Sequence, residues 1–130
     1  RFVIPAFARR LRGAQRAGAT VVKVGNLEPV RDLLDVRDVA AAYVALLERG
    51  TPGEVYNVGS GQEHSLESLF HRLADLLGVA AIHESDPALV RPADIPYLVG
   101  DATKLRAATG WAPRTPLETT LRDVIDAQAD

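Results

Sequence analysis

No cysteine occurs in these 130 residues, and no methionine. The first absence excludes disulfides, thiolate metal sites and cysteine nucleophiles, and makes a cytoplasmic setting the default expectation. The second goes with an opening, RFVIPAFARRL, that already lies inside an amphipathic pattern and carries no secretory signal. Together they lead us to expect a fragment or a trimmed chain. No apolar run approaches the roughly 18 residues of a membrane span, so no membrane partner is expected. Fifteen basic against seventeen acidic residues give a net charge of -2, which is no footprint for nucleic acid, and no block of like charge forms a tail. The three histidines, His64, His71 and His83, lack a ligand spacing such as His-Glu-x-x-His, and no metal is expected. The glycines of NVGSGQ lack the lysine and the spacing of a phosphate loop, and Ser60 is not in a Gly-x-Ser-x-Gly elbow.

What remains is an ordinary globular composition, 47% hydrophobic and 25% charged, on a length that suits one domain. Helical spacing runs from Phe2 to about Ala17, with Val3, Ile4, Phe7, Ala8, Leu11 and Ala14 on one face and arginines on much of the other. Phe2 and Val3 are expected in the core. After Gly18, Thr20 to Val24 reads as a β-branched strand, and Gly25 to Arg31 as a loop. Asp35 is the predicted N-cap of a second helix, with Val39, Ala42, Tyr43, Leu46 and Leu47 on its apolar face. Val55 to Val58 reads as a buried strand entering a glycine turn. A third helix is predicted from about Leu66 to Leu77, closed by Gly78, then a short strand from Ala80 to His83.

From Glu84 to Pro96 the prolines predict irregular chain. A short helix from Ala102 to about Ala108 follows, capped by Asp101 and ended by Gly110, with Trp111 packed behind it. The TPLE stretch, Thr115 to Glu118, matches a capping box with proline at the first helical position, and the last helix runs to about Ala127. Helices and short strands alternate, which is an α/β pattern.

Arg31 stands beside Asp32 between two apolar segments. It reads either as an exposed ion pair with Asp32 or Glu28, worth about 0–1 kcal/mol, or as an anion clamp, since a guanidinium meets phosphate oxygens with a planar fork of donors. Arg91 sits in a loop restricted by Pro92 and Pro96. Lys23 reads equally as an edge-strand lysine that discourages aggregation. Asp35 and Asp38, three apart at a helix start, suit capping and the macrodipole better than acid–base work.

The stretches GNLEPVRDLLDVRDVAAAY, GEVYNVGSG and DATKLRAATGWAPRTPLETTLRDVI, in that order, resemble the C-terminal half of the extended short-chain dehydrogenase/reductase family that works on nucleotide sugars. KVGNLEPVRD and RPADIPYLVGD are most similar to its GDP-mannose branch, the 4,6-dehydratases and the reductases of GDP-4-keto-6-deoxymannose, with RPADIP leaning towards the reductases. The resemblance implies a Rossmann-type fold with a small substrate domain. Residues from about 20 to 60 would form the edge of the dinucleotide-binding sheet, and those from about 65 to 130 the substrate-binding part.

It also implies site residues. Arg31 would contact the nucleotide diphosphate and Arg91 would be a second clamp. Pro92, Ala93 and Asp94 would line the same loop, Asp94 accepting sugar or ribose hydroxyls, while Lys23 and Asn26 would wall the base. The family's Gly-x-x-Gly-x-x-Gly is absent here, and so is its catalytic Tyr-x-x-x-Lys, because Tyr43, Tyr56 and Tyr97 are followed four places on by Leu47, Ser60 and Asp101. No catalytic residue is therefore assigned. NADP or NAD would be bound mainly by a missing N-terminal half, and a homodimer is expected of the full-length enzyme. A non-catalytic nucleotide-sugar-binding or protein-interaction module is the other reading.

Overall fold

The structure, a computed structural model, describes residues 2–91 and 94–128. They form five helices and five short strands: α1 (Val3–Ala17), β1 (Val21–Val24), β2 (Val30–Arg31), α2 (Val36–Arg49), β3 (His64–Ser65), α3 (Leu66–Leu77), β4 (Ile82–Ser85), β5 (Tyr97–Leu98), α4 (Thr103–Thr109) and α5 (Leu117–Asp126), with a 3-10 turn at Pro87–Leu89. The chain divides into two compact units. One takes in Arg1–Pro29, Ser65–Pro96 and Leu121–Asp130, and the other Val30–His64 and Tyr97–Thr120.

In the first unit, α1 buries Ile4, Phe7, Ala8, Leu11 and Ala14, the stripe that its spacing dictates. Gly18 ends it in the left-handed conformation, where a side chain would be strained, and the Gly18 and Ala19 amides fold back on the last helical carbonyls. Phe2 is exposed rather than in the core, because it precedes the helix as its N-cap and stands off that stripe. Helix α3 is capped by Ser65, whose hydroxyl accepts the Ser68 amide at 3.1 Å, and buries Leu66, Leu69, Phe70, Leu73 and Ala74. Phe7 and Phe70 meet edge to face, centroids 5.6 Å apart, a favoured arrangement of aromatic quadrupoles.

Strand β1 alternates outward Val21 and Lys23 with inward Val22 and Val24, the period of two that a half-buried strand requires. It pairs in parallel with β4, Val21 opposite Ile82 and Val24 opposite Ser85. The strand expected over Ala80–His83 thus lies two residues later, where the ladder supplies its partners. Gly25 passes so close to the 3-10 turn that a Cβ there would stand 2.5 Å from the Leu89 carbonyl oxygen.

In the second unit, β2 pairs in parallel with β5, Val30 opposite Tyr97 and Arg31 opposite Leu98. Arg31 therefore lies in a strand, not in the loop its proline and asparagine neighbours suggested. The core gathers Ala42, Ala45, Ala102, Leu105 and Trp111, with Leu34, Leu46, Tyr56 and Val58 packed against it. Helix α2 turns Asp38, Ala42 and Ala45 inward and leaves Tyr43 and Leu47 exposed, 60% and 88%, correcting the apolar face read from spacing. Small alanines let the core approach the backbone closely, which rotates the larger residues outward. Val55–Val58 forms no strand and Val55 is exposed, because no described segment offers it a ladder. Helix α4 begins at Thr103, its first amide taken by the Asp101 carboxylate at 2.9 Å, and ends at Gly110 in the left-handed conformation. The last helix starts at Leu117, one place after the proline, whose carbonyl accepts the Thr119 amide at 3.0 Å.

Candidate functional site

The residue after Arg31 organises its surroundings. Asp32 accepts the Ser60 amide at 3.0 Å and the Ser60 hydroxyl on one carboxylate oxygen. It accepts the Gly61 amide at 3.0 Å and the Gly100 amide at 3.1 Å on the other. Four donors match the four lone-pair sites of a carboxylate. Its own amide donates to the Leu98 carbonyl at 3.0 Å, so the end of β2 is held through both backbone and side chain. Burial alone would raise the Asp32 pKa. The Ser60 hydroxyl and the three amides outweigh that and hold it below the usual aspartate value.

Two glycines make this convergence possible. A Cβ on Gly59 would stand 2.8 Å from the Asp32 carboxylate and 3.1 Å from the Gly100 Cα, and one on Gly100 would meet the same carboxylate at 3.3 Å. The turn also decides a question of chemistry. Its Ser60 and Gly61 amides are directed at Asp32, so this glycine segment does not supply a cradle for a dinucleotide phosphate. Arg31 itself is half-buried and donates to the Val30 carbonyl at 2.8 Å. Asp32, for its part, is anchored by a serine and three backbone amides.

A second anchor lies at the start of α2. Asp35 caps the helix through the Arg37 amide at 2.9 Å and also accepts the Arg37 guanidinium and the Thr120 hydroxyl. The Arg37 hydrogen bond, above all, holds its carboxyl far below the usual range, against the opposing effect of burial. Asp38, buried, accepts the Arg114 and Thr115 amides at 3.1 and 3.0 Å, and its carbonyl accepts the Trp111 indole N–H at 3.0 Å. Both aspartates are structural, as their spacing at a helix start predicts.

Among its described residues this unit carries open clefts, two of which bear on the site. One, of about 530 Å³, is lined by residues that include Asp35, Ser60, His64, Arg106, Arg114 and Thr120. The other, of about 590 Å³, is walled by Tyr43, Leu46, Leu47 and Tyr56. Arg31 is in neither lining. At the second cleft a tyrosine and a lysine do meet, but the Lys104 ammonium sits 4.9 Å over the Tyr56 ring while the Tyr56 hydroxyl takes the Thr51 amide. That is a cation–π contact on an exposed turn.

The other expected site residues lie in the first unit. Lys23 is exposed on β1 opposite Glu84, and the Asn26 side chain closes a turn by accepting the Glu28 amide at 3.0 Å. Arg91 and Asp94 are exposed on the segment after the 3-10 turn, and Pro92 and Ala93 lie outside the described residues. The first unit also gathers side chains that spacing kept apart. Glu67 and His71 on α3 and His83 on β4 bring one ligand-type atom each within 4.8 Å of one another, and His83 Nε2 lies 3.1 Å from Glu67 Oε1. The Glu67–His71 step of four is visible in the sequence as one helix face; the third member needed the β1–β4 pairing. Asp32 was overlooked for a similar reason, its donors standing 28 and 68 positions away.

Parallel strand pairs joined through helices are an α/β arrangement, and likeness to solved structures makes it that of a Rossmann-type extended short-chain dehydrogenase/reductase. Residues 1–124 match the GDP-mannose 4,6 dehydratase family, and the chain belongs to it. It is 39% identical over 125 residues to GDP-6-deoxy-D-mannose reductase of Pseudomonas aeruginosa, covering 95% of this chain and 41% of that protein. It is 35% identical over 125 residues to GDP-L-fucose synthase 1 of Arabidopsis thaliana, covering 95% and 38%. Among solved structures, RMD from Pseudomonas aeruginosa complexed with NADPH superposes with a TM-score of 0.87 at 38% identity, over 98% of this chain and 42% of that one. The chain thus spans about two-fifths of the length of the curated relatives it matches. Among the described residues, no helix is long and apolar enough to cross a membrane.

Proposed function

We propose that this chain is the substrate-binding portion of a cytoplasmic nucleotide-sugar enzyme of the GDP-mannose type, a reductase, dehydratase or epimerase that uses NADP or NAD. The observation that carries this reading is the likeness to the reductase of Pseudomonas aeruginosa across nearly the whole chain. Arg31 is assigned to the diphosphate, and the anchoring of the strand end beside it by Asp32 supports that reading, because a fixed backbone leaves only the side chain to be ordered. Arg91 is assigned the same chemistry, with Pro92, Ala93 and Asp94 belonging to its loop. Lys23 and Asn26 are assigned to the base.

The glycine turn of the second unit directs its Ser60 and Gly61 amides at Asp32 and not at a cofactor phosphate. We therefore assign no residue here to the cofactor and route no step through it. What these residues do is bind and orient. Fixing a diphosphate at a strand end holds the attached sugar in one place, and positioning of this kind lowers a barrier by up to about 7–11 kcal/mol when both reactants are held. The exposed Tyr43, Leu47 and Val55 support a chain that works joined to a further body. A homodimer of the whole enzyme belongs to the same reading.

The test is calorimetric titration of the chain with GDP-mannose beside UDP-glucose. Selective binding of GDP-mannose is expected. Arg31→Ala should weaken it by about 1.5–3 kcal/mol, tenfold or more, because one charge-assisted hydrogen-bonding partner is lost. Undiminished binding by the variant would remove Arg31 from the site. No binding by a folded chain would favour a protein-interaction module.

A further inference from the structure

The histidine–glutamate cluster of the first unit has no part in that reading, and its donor set has a chemistry of its own. Glu67 and His71 are four apart on α3, so both project from one helix face. His83 projects from β4, and the ligand-type atoms of all three lie within 4.8 Å of one another. Phe70, fully buried, meets the His71 ring edge to face at 5.6 Å and the His83 ring at 5.7 Å. The two imidazoles are thus backed by one rigid wall, with ring centroids 5.5 Å apart. His83, partly buried against Phe70, loses little freedom on capturing an ion.

We propose that Glu67, His71 and His83 form a divalent transition-metal site, with zinc as its best-suited ion. Two imidazole nitrogens and one carboxylate oxygen are the ligands of an open tetrahedral zinc centre. Imidazole also selects the late transition metals over magnesium and calcium, which prefer all-oxygen shells. Bond lengths near 2.0–2.1 Å put tetrahedral ligand atoms about 3.3 Å apart. His83 Nε2 and Glu67 Oε1, at 3.1 Å, already have that spacing. His71 and Glu67 are exposed and can rotate to complete it. A bound ion would tie α3 to β4 in a chain that has no cysteine for a cross-link, and the fourth position would face solvent.

The experiment is titration of the full chain with zinc chloride in a non-coordinating buffer, followed by calorimetry and by imidazole NMR. One ion per chain is expected, with His71 and His83 resonances shifting and those of His64 unmoved. His71→Asn and His83→Asn should each weaken binding about tenfold or more, and Glu67→Gln by less, while His64→Asn should leave it unchanged. His71 is exposed, so its variant keeps the fold and the comparison stands if the His83 variant does not. Absence of binding by the native chain up to about 1 mM zinc would overturn the proposal. So would binding that His71→Asn retains within about threefold, or shifts that leave His71 and His83 unmoved.

Discussion

Ser60 gives the Asp32 carboxylate two hydrogen bonds, from its amide and from its hydroxyl, and thereby ties a glycine turn to the residue that follows Arg31. With the Gly61 and Gly100 amides, the carboxylate becomes a node where three separate stretches of one unit converge.

Replacing it should be costly and should change how stability depends on pH. Asp32→Asn turns two acceptor positions into donors that face amides, and we expect a loss of about 2–3 kcal/mol. The folded-state pKa of Asp32 is lowered, and so is that of Asp35. A depressed carboxyl contributes stability that is present above its unfolded pKa and is lost as pH falls through the folded one. Denaturant unfolding at a series of pH values should therefore show stability declining below about pH 4, and declining less steeply in Asp32→Asn. Equal slopes for the two proteins would mean that Asp32 is not linked to folding.

The convergence has a steric condition that two glycine substitutions separate. Gly59→Ala places a methyl group 2.8 Å from the Asp32 carboxylate and 3.1 Å from the Gly100 Cα, and should cost about 1–3 kcal/mol. Gly13, in the middle of α1, has nothing within 4 Å of the corresponding position, so Gly13→Ala should stabilise by about 0.5–1 kcal/mol through helix propensity. Thermal melts of the two variants should move in opposite directions. A shared direction would show that glycine entropy alone governs both sites.

Much of this fold is legible in the sequence where the information is local. The spacing of Leu66, Leu69, Phe70 and Leu73 gives α3 its range, Asp35 announces α2, and Gly18, Gly78 and Gly110 mark helix ends with left-handed caps. What pattern reading misplaced depends on partners distant in the chain. Val55 and Val58 have strand composition but no described ladder, while β2 and β5 have little strand signal and pair across 67 positions. Tyr43 and Leu47 have helical spacing, yet Ala42 and Ala45 take the core because Trp111 and Leu105 approach that side closely. Arg31 was visible as a cation between apolar segments. Its anchoring by Asp32 was not, since carboxylates find their donors in space and leave no periodic trace.

Trp111 offers a direct test of the other buried aspartate. Asp38 holds the Arg114 and Thr115 amides with its carboxylate and the Trp111 indole with its carbonyl, so side chain and backbone of one residue fasten the same loop to α2. Asp38→Ala removes two charge-assisted bonds from a buried position and should cost about 3 kcal/mol, whereas Trp111→Phe removes one neutral bond and some packing and should cost about 1–2 kcal/mol. Because both act on one loop, the double variant should lose less than the sum. Trp111 is the chain's single tryptophan, so its emission reports on this contact alone. In Asp38→Ala the emission should shift to longer wavelength as the loop loosens and water reaches the indole. An unshifted emission with unchanged stability would mean that the hydrophobic seat of Trp111 holds the loop without the aspartate.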